Sequence, residues 1–448
     1  MRRKKKSLPQ GEFETEIVAM SHEGRGIARV EGKTVFIPFA LPHEVVRFEY
    51  THVSKNYDEG RLIDVVNPSS ERVTPPCSWF ENCGGCALQH VDPKAQIAFK
   101  QNTLMDHFKH FGHGVSPDEV LPPLLSENTE GYRGKARLGV RFVTKKNRVL
   151  VGFRERNGRF LADIDSCQVL DPRVGQKIIE LQKLIADLSI YSHIPQIEVA
   201  VDDDHVGLVI RHLEPFTADD FNVLKDFAIA HDFWIYLQAK GPETVYLFYP
   251  EADVEPVQMS YFLDDFDISI HFEPGDFTQV NRRLNQKMVA YALDLLALKS
   301  DDRVLDLFCG LGNFSLPLAR RCQSVTGVEG DEAMTTRAAI NARNNGLHNI
   351  DFYAANLFED IAAHRWVRSA HFTKMLLDPP RAGAEMVCRQ IEKIAPERIV
   401  YVSCDPATLA RDAGILVNEK GYRLLKAGVM DMFPHTTHVE SIAVFEIE

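Results

Sequence analysis

Cys404 stands in YVSCDPATL, at the expected end of an apolar strand and just before a helix start. Asp405 suits an N-cap and Pro406 a first helical residue. A thiol at a helix N-terminus feels its positive end, so the Cys404 pKa is expected to fall and the thiolate to act as a nucleophile. A buried structural thiol is the plainer reading, and it is the one that suits Cys322 and Cys388. Upstream, LDLFCGLGNFS reads as a strand running into a glycine turn and a helix. Gly310 and Gly312 would let the backbone approach a ligand closely. A dinucleotide fingerprint needs a third glycine at 315, where Ser315 stands, so NAD is disfavoured. Polar residues follow at successive strand ends. Glu329 suits ribose hydroxyls, Asn356 could read an adenine edge, and Asp378 opens DPPR. A nucleoside without phosphates fits this set, and S-adenosylmethionine is such a ligand.

A thiolate beside a methyl donor has a specific use. Pyrimidine C5 is a poor carbon nucleophile. Addition of a thiolate to C6 makes C5 enolate-like and able to attack a methyl sulfonium. A base must then remove the C5 proton so that the thiol can leave. HTTHVESIAVFEIE offers Glu440 for that role, with His435 and His438 close in sequence. A carboxylate opening an otherwise apolar strand needs a reason, although a salt bridge would also be one.

A second constellation is CSWFENCGGCALQH, with Cys77, Cys83 and Cys86. Eight cysteines in 448 residues are too few for a disulfide scaffold, and a tight group of this kind more often binds metal or does chemistry. Spacing alone leaves zinc and iron–sulfur both open. No apolar run reaches the roughly eighteen residues of a membrane span. The N-terminus MRRKKKSLPQGE has no apolar segment behind it, so a cytoplasmic protein with no membrane partner is expected. Net charge is −12, which taken globally opposes nucleic-acid binding. The charge is uneven, however: residues 131–160 hold ten Lys/Arg and one acid, with Tyr132, Phe142, Phe153 and Phe160 interleaved. Together with Arg2–Lys6, that pattern favours a grip on RNA phosphates.

These residues need a scaffold. Residues 11–67 alternate with period two around GRG and EGK turns, which suggests a small β-barrel, and 67–76 reads as a linker. A helix is expected at about 93–111. Residues 131–270 read as an α+β region with an antiparallel sheet and a helix over 172–188. From about 284, apolar strands alternate with amphipathic helices, which implies a doubly wound, mostly parallel sheet.

FEPGDFTQVN, DLFCGLGNFSLPLA, LLDPPRAG, YVSCDPATLARD and THVESI together resemble the RNA uracil-C5 methyltransferases over nearly the whole chain. The resemblance implies Cys404 as nucleophile and Glu440 as base. It implies cofactor contacts from Gln279, Phe308, Asn313, Glu329, Asn356 and Asp378. It implies a multidomain chain: a basic tail at 1–10, an OB-like TRAM barrel at 11–67, a central α+β iron–sulfur and RNA-binding domain at 75–270, and a Rossmann-like S-adenosylmethionine-dependent methyltransferase domain at 271–448. The C-x5-C-x2-C spacing is similar to the [4Fe–4S] site of the branch that acts on 23S ribosomal RNA, with Cys167 of DIDSCQVLDP as the fourth ligand. TRAM region plus four cysteines points within that branch to the uridine conventionally numbered 1939. The transfer-RNA branch generally lacks both features. A monomer is expected. Two other enzyme readings are weaker: an adenine-N6 methylase would want an aromatic residue where Arg381 stands, and RNA cytosine-C5 methylases carry a cysteine that LLDPPR lacks. The alternatives are uridine-C5 methylation at another 23S site or in transfer RNA, and, without catalysis, a silent ribosomal-RNA-binding assembly factor.

Overall fold

The computed structural model describes residues 8–156, 158–251, 258–362, 364–369 and 371–448. The basic run Arg2–Lys6 lies outside the described residues. The chain divides into two compact units, Met1–Lys100 with Pro434–Thr437, and Gln101–Phe433 with His438–Glu448.

In the first unit the period-two segments become β1 (Phe13–Met20), β2 (Arg25–Val30), β3 (Lys33–Pro38), β4 (Val45–Val53) and β5 (Tyr57–Asn67). They close into a barrel in the order β1-β2-β3-β5-β4, which leaves no free sheet edge. Alternate residues Ile17, Val35, Ile37, Val46 and Phe48 point inward and form its core. The cysteine stretch follows, and Leu41, Leu88 and Val91 make a smaller core beneath it. His435 also belongs to this unit: its carbonyl accepts the Ala87 and Leu88 N–H groups at 2.8 and 2.9 Å. Helix α1 (Pro93–His110) comes next in the chain.

In the second unit, after the two-residue strand β6 (Glu119–Val120), one sheet is built from β7 (Lys135–Val143), β8 (Arg148–Gly152), β9 (Gln196–Val201), β10 (Val206–Arg211), β11 (Phe233–Gln238) and β12 (Val245–Tyr249), in the order β12-β11-β10-β9-β7-β8. It is mixed, not antiparallel as expected. β10 and β11 run parallel because a helix connects them and returns the chain to the same end of the sheet. The expected helix over 172–188 is also broken, into α2 (Pro172–Gly175) and α3 (Ile178–Asp187). The Gly175 carbonyl, which would continue the helical ladder, accepts the Cys167 N–H at 2.8 Å. A Cβ at Gly175 would collide with the Cys167 carbonyl, so the glycine lets the Cys167 loop close against the helix. The connection between β10 and β11 is α4 (Ala218–His231), which opens on a capping box from Thr217 and Asp220.

A hairpin that the sequence pattern did not announce, β13 (Met259–Leu263) and β14 (Ile268–Phe272), precedes α5 (Arg282–Leu296). The alternating part follows: β15 (Arg303–Leu307), α6 (Ser315–Ala319), β16 (Ser324–Glu329), α7 (Glu332–Asn344), β17 (Ile350–Ala354), α8 (Arg365–Ser369), β18 (Lys374–Leu377), α9 (Glu385–Arg389), β19 (Arg398–Ser403), α10 (Pro406–Lys420), β20 (Tyr422–Met430) and β21 (Glu440–Ile447). The sheet order is β17-β16-β15-β18-β19-β21-β20-β6. β15 to β19 are parallel and β21 runs antiparallel between β19 and β20. Strand order reverses at β15, and the crevice at the carboxyl ends there is where such sheets bind ligands. Asn341 of α7 and Asn345, which caps its C-terminus, bond the β14 backbone at His271 and Ser269, in the manner of a neighbouring strand. That support explains how a lone two-stranded hairpin is stable.

Candidate active site

β15 ends at Leu307, and the chain turns at once. Phe308 has φ +63°, a conformation uncommon outside glycine, and Gly310 and Gly312 follow at +54° and +94°. The Phe308 and Cys309 N–H groups both donate to the Val328 carbonyl, at 2.8 and 3.1 Å. The Gly310 N–H donates to Glu329 Oε2 at 3.1 Å, and Glu329 Oε1 accepts the Gly330 N–H at 2.6 Å. The carboxylate at the end of β16 is therefore stapled to the turn after β15. Ser315, standing where a dinucleotide fold has its third glycine, donates its hydroxyl to the buried Asp306. Burial pushes Asp306 up to about 8.

The turn borders a cavity of about 560 Å3. Gln279, Phe308, Asn313, Glu329, Asn356 and Asp378 all line it, as do Cys404 and Glu440. Their surroundings differ. The Asn313 amide makes a reciprocal pair with Asn285, at 2.9 Å in each direction, and accepts the Tyr261 hydroxyl at 3.0 Å. Its polar atoms are thus occupied by the protein. Asn356 is exposed, donating to Glu359 and accepting from the Phe358 N–H. Asp378 is raised to about 7, first by burial and then by the Glu329 charge.

Cys404 follows the last residue of β19. The final rung between β19 and β21 pairs Ser403 with Ser441, so the register sets Cys404 opposite Glu440 one step further on. Glu440 is buried, 3% exposed. Asp405 caps α10, accepting the Ala407 and Thr408 N–H groups at 3.0 and 3.1 Å, with Pro406 in the first turn. The expected fall in the Cys404 pKa does not occur. It is pushed up to about 12, first by burial, then by the charges of Glu440 and Asp378, with Arg381 opposing. The helix end cannot offset this, because the Asp405 carboxylate already covers it and adds a negative charge of its own. Arg381 Nη2 lies 3.2 Å from His438 Nδ1.

Several lining residues were not singled out from sequence. Phe277, 65% exposed, projects two positions before Gln279. Arg133 also lines the cavity, although its sequence suggests only a member of a basic cluster. That cluster is partly neutralised: Lys146 and Arg148 both pair with Asp163, and Arg137 pairs with Glu198 at 2.8 Å. Arg141, Arg154 and Arg159 are exposed, as is Phe160 at 64%.

Cys77, Cys83, Cys86 and Cys167 are half-buried and none forms a disulfide. The first three lie in the first unit and Cys167 in the second. Cys83 Sγ accepts the Gly85 N–H at 3.5 Å, and the Cys77 N–H donates to Gln89 Oε1 at 3.2 Å. Among the described residues no group of three or more His, Cys, Asp or Glu is gathered to hold a metal ion. No described helix is long and apolar enough to cross a membrane.

Residues 12–63 match the TRAM domain model, and residues 251–447 match the model of tRNA (Uracil-5-)-methyltransferase. A Francisella tularensis subsp. novicida (strain U112) protein named 23S rRNA (uracil(1939)-C(5))-methyltransferase RlmD is 58% identical over 98% of both chains. The chain belongs to the RNA uracil-C5 methyltransferase family. A Legionella pneumophila (strain Paris) member of the same name is 51% identical over the full length of both chains. A solved family structure, Pyrococcus abyssi tRNA (uracil-54, C5)-methyltransferase in complex with S-adenosyl-L-homocysteine, aligns with TM-score 0.74 at 25% identity. It covers 97% of this chain and 100% of that one. The fold is that of an S-adenosylmethionine-dependent methyltransferase, and the cavity suits that ligand. Phe308, Leu311, Phe314 and Met334 give it apolar walls, and the carboxyl groups of Glu329 and Asp378 line it as well.

Proposed function

We propose that the enzyme methylates C5 of a uridine in 23S ribosomal RNA, at position 1939 in the numbering used for its named relatives. The observation that carries this reading is Cys404 set opposite Glu440 at a nucleoside-sized cavity. S-adenosylmethionine, held along Phe308, Glu329 and Asn356 beside Gln279, Asn313 and Asp378, supplies an electrophilic methyl group and a sulfonium charge. Arg381 favours the Cys404 thiolate against burial and the Glu440 and Asp378 charges, and the thiol gives up its proton to solvent, which leaves the Glu440 carboxylate to act as the base. Cys404 Sγ bonds to C6, and the electron pair of the C5–C6 double bond becomes available at C5. After methyl transfer to C5, Glu440 takes the C5 proton, the double bond re-forms and the S–C6 bond breaks. The target base is flipped from its stack, at roughly a few kcal/mol. The barrel, the exposed arginines near Phe160 and the basic N-terminus supply binding energy remote from the reacting carbon.

The test is methyl transfer from labelled S-adenosylmethionine to unmodified 23S and transfer RNA, with the modified nucleotide mapped. We expect 5-methyluridine in 23S RNA only. Label confined to transfer RNA would move the enzyme to another branch. No label in either RNA, with the cofactor bound, would favour an assembly factor.

The reading extends to a [4Fe–4S] cluster on Cys77, Cys83, Cys86 and Cys167. The support is chemical: four half-buried thiols are the donor set such a cluster takes, and a backbone N–H already points at one sulfur. Cys167→Ser is expected to lose visible absorbance and bound iron and sulfide. Full retention of both would remove Cys167 from the set, and a colourless protein holding zinc would replace the cluster. We also take the enzyme to act as a monomer in the cytoplasm.

A further inference from the structure

The loop between β14 and α5, residues 273–281, presents three consecutive residues to the cavity: Phe277, Thr278 and Gln279. Its anchor is Asp276, 6% exposed. Within the loop, Asp276 Oδ2 accepts the Glu273 N–H at 2.8 Å and the Asp276 N–H donates to the Glu273 carbonyl at 2.9 Å. Two cations from other elements then hold the same residue. Lys135 of β7 donates its ammonium to the Asp276 carbonyl. Arg337 of α7 donates its guanidinium to Asp276 Oδ1. Immediately before Lys135 in the chain, the Gly134 N–H donates to the Val280 carbonyl at 2.8 Å. The presenting segment is therefore fixed just before Phe277 and just after Gln279.

The two cations come from different sides of the site. α7 begins just after Glu329 and carries Met334, three residues before Arg337, and both Glu329 and Met334 line the cavity. β7 continues the segment of Arg133, another lining residue. A half-buried ammonium spent on a main-chain carbonyl is costly unless the carbonyl must stay where it is. We propose that Lys135 and Arg337, by gripping Asp276 at its carbonyl and its carboxylate, are positioning residues that hold Gln279 and Phe277 against the target uracil. This rests on the uridine-C5 reading above.

The grip has its own pH signature. The charged groups around Lys135 are Asp276 and Glu198, which favour its charge, and Arg137, which opposes it; Arg337 and Glu273 are the other charged groups that act on Asp276. Burial outweighs them and brings Lys135 down to about 8. The ammonium is present below that pH and lost above it, whereas an arginine stays charged throughout.

The experiment is single-turnover methylation of a 23S RNA fragment by wild type, Lys135→Met, Lys135→Arg and Arg337→Gln. Cofactor and RNA affinities and melting temperatures are measured alongside. In Lys135→Met we expect the rate to fall about 30- to 100-fold, the cost of a misplaced reactant, with both affinities within about twofold of wild type. Lys135→Arg recovers most of the rate, and it removes the flattening of the wild-type pH profile above about 8. Arg337→Gln slows the reaction by a similar factor, and the double variant Lys135→Met/Arg337→Gln is no worse than either alone, because both release one loop. An active wild type with an equally active Lys135→Met overturns the proposal. So do losses that appear only in melting temperature, or that multiply in the double variant. If Lys135→Met does not fold, Arg337→Gln alone decides by the same split between rate and affinity. A wild type that does not methylate the fragment would instead overturn the functional reading.

Discussion

Cys404→Ala is expected to lower methyl transfer by at least about four orders of magnitude while leaving cofactor binding and the melting temperature near wild type. The size follows from the chemistry. Without addition at C6 there is no electron-rich C5, so no slower version of the same route remains. Cys404→Ser should be nearly as inactive, because a hydroxyl among the same carboxylates is further still from ionising. The check is labelled methyl transfer under single-turnover conditions, with a cofactor titration on the same protein. The pH dependence carries a sign. The free-enzyme thiol is pushed up to about 12, so it is protonated at neutral pH. The thiolate is the reactive form, so kcat/KM should climb as pH rises between 6 and 8, close to tenfold per unit. A flat kcat/KM over that range would mean that Arg381 already outweighs burial, Glu440 and Asp378 in the free enzyme.

What could be read from the sequence divides by the range of the interaction. The N-cap at Asp405 and the proline after it are local grammar, and α10 starts where they said. The barrel was legible because alternation fixes which face of each strand is buried. The residues at the strand ends were legible because a doubly wound sheet gathers them at one edge. The Cys404 pKa was misread because its causes arrive from elsewhere: first burial in the folded chain, then the charges of Glu440 on β21 and Asp378 after β18. The same holds for the helix expected over 172–188, which the Cys167 loop interrupts through Gly175, a contact with no periodic signature. The hairpin β13–β14 borrows its edge support from asparagines about seventy residues later in the chain. Phe277 and Arg133 lay inside segments already noticed for other reasons. Only the cavity distinguishes them from neighbours of the same type.

Glu440→Gln separates the two halves of the reaction. The amide keeps the shape of the carboxylate but cannot take a proton, so addition by Cys404 and transfer of the methyl group can both proceed. Elimination then stalls, because the C5 proton has nowhere to go. The adduct cannot readily run backward either, since that would return a methyl group from carbon. Turnover is expected to fall by about 10²–10⁴, the usual contribution of a general base. At the same time a covalent protein–RNA complex should accumulate to near one per enzyme and survive a denaturing gel. The band must vanish in the double variant Cys404→Ala/Glu440→Gln, which ties it to the thiol. Lost turnover with no band would move Glu440 to an earlier step, as the acceptor of the Cys404 proton. That role is open to it because it stands opposite the thiol and raises the thiol pKa. Turnover near wild type would pass the base role to another group at the cavity, and Asp378, held at about 7 and already beside the thiol, is the one with a pKa suited to it.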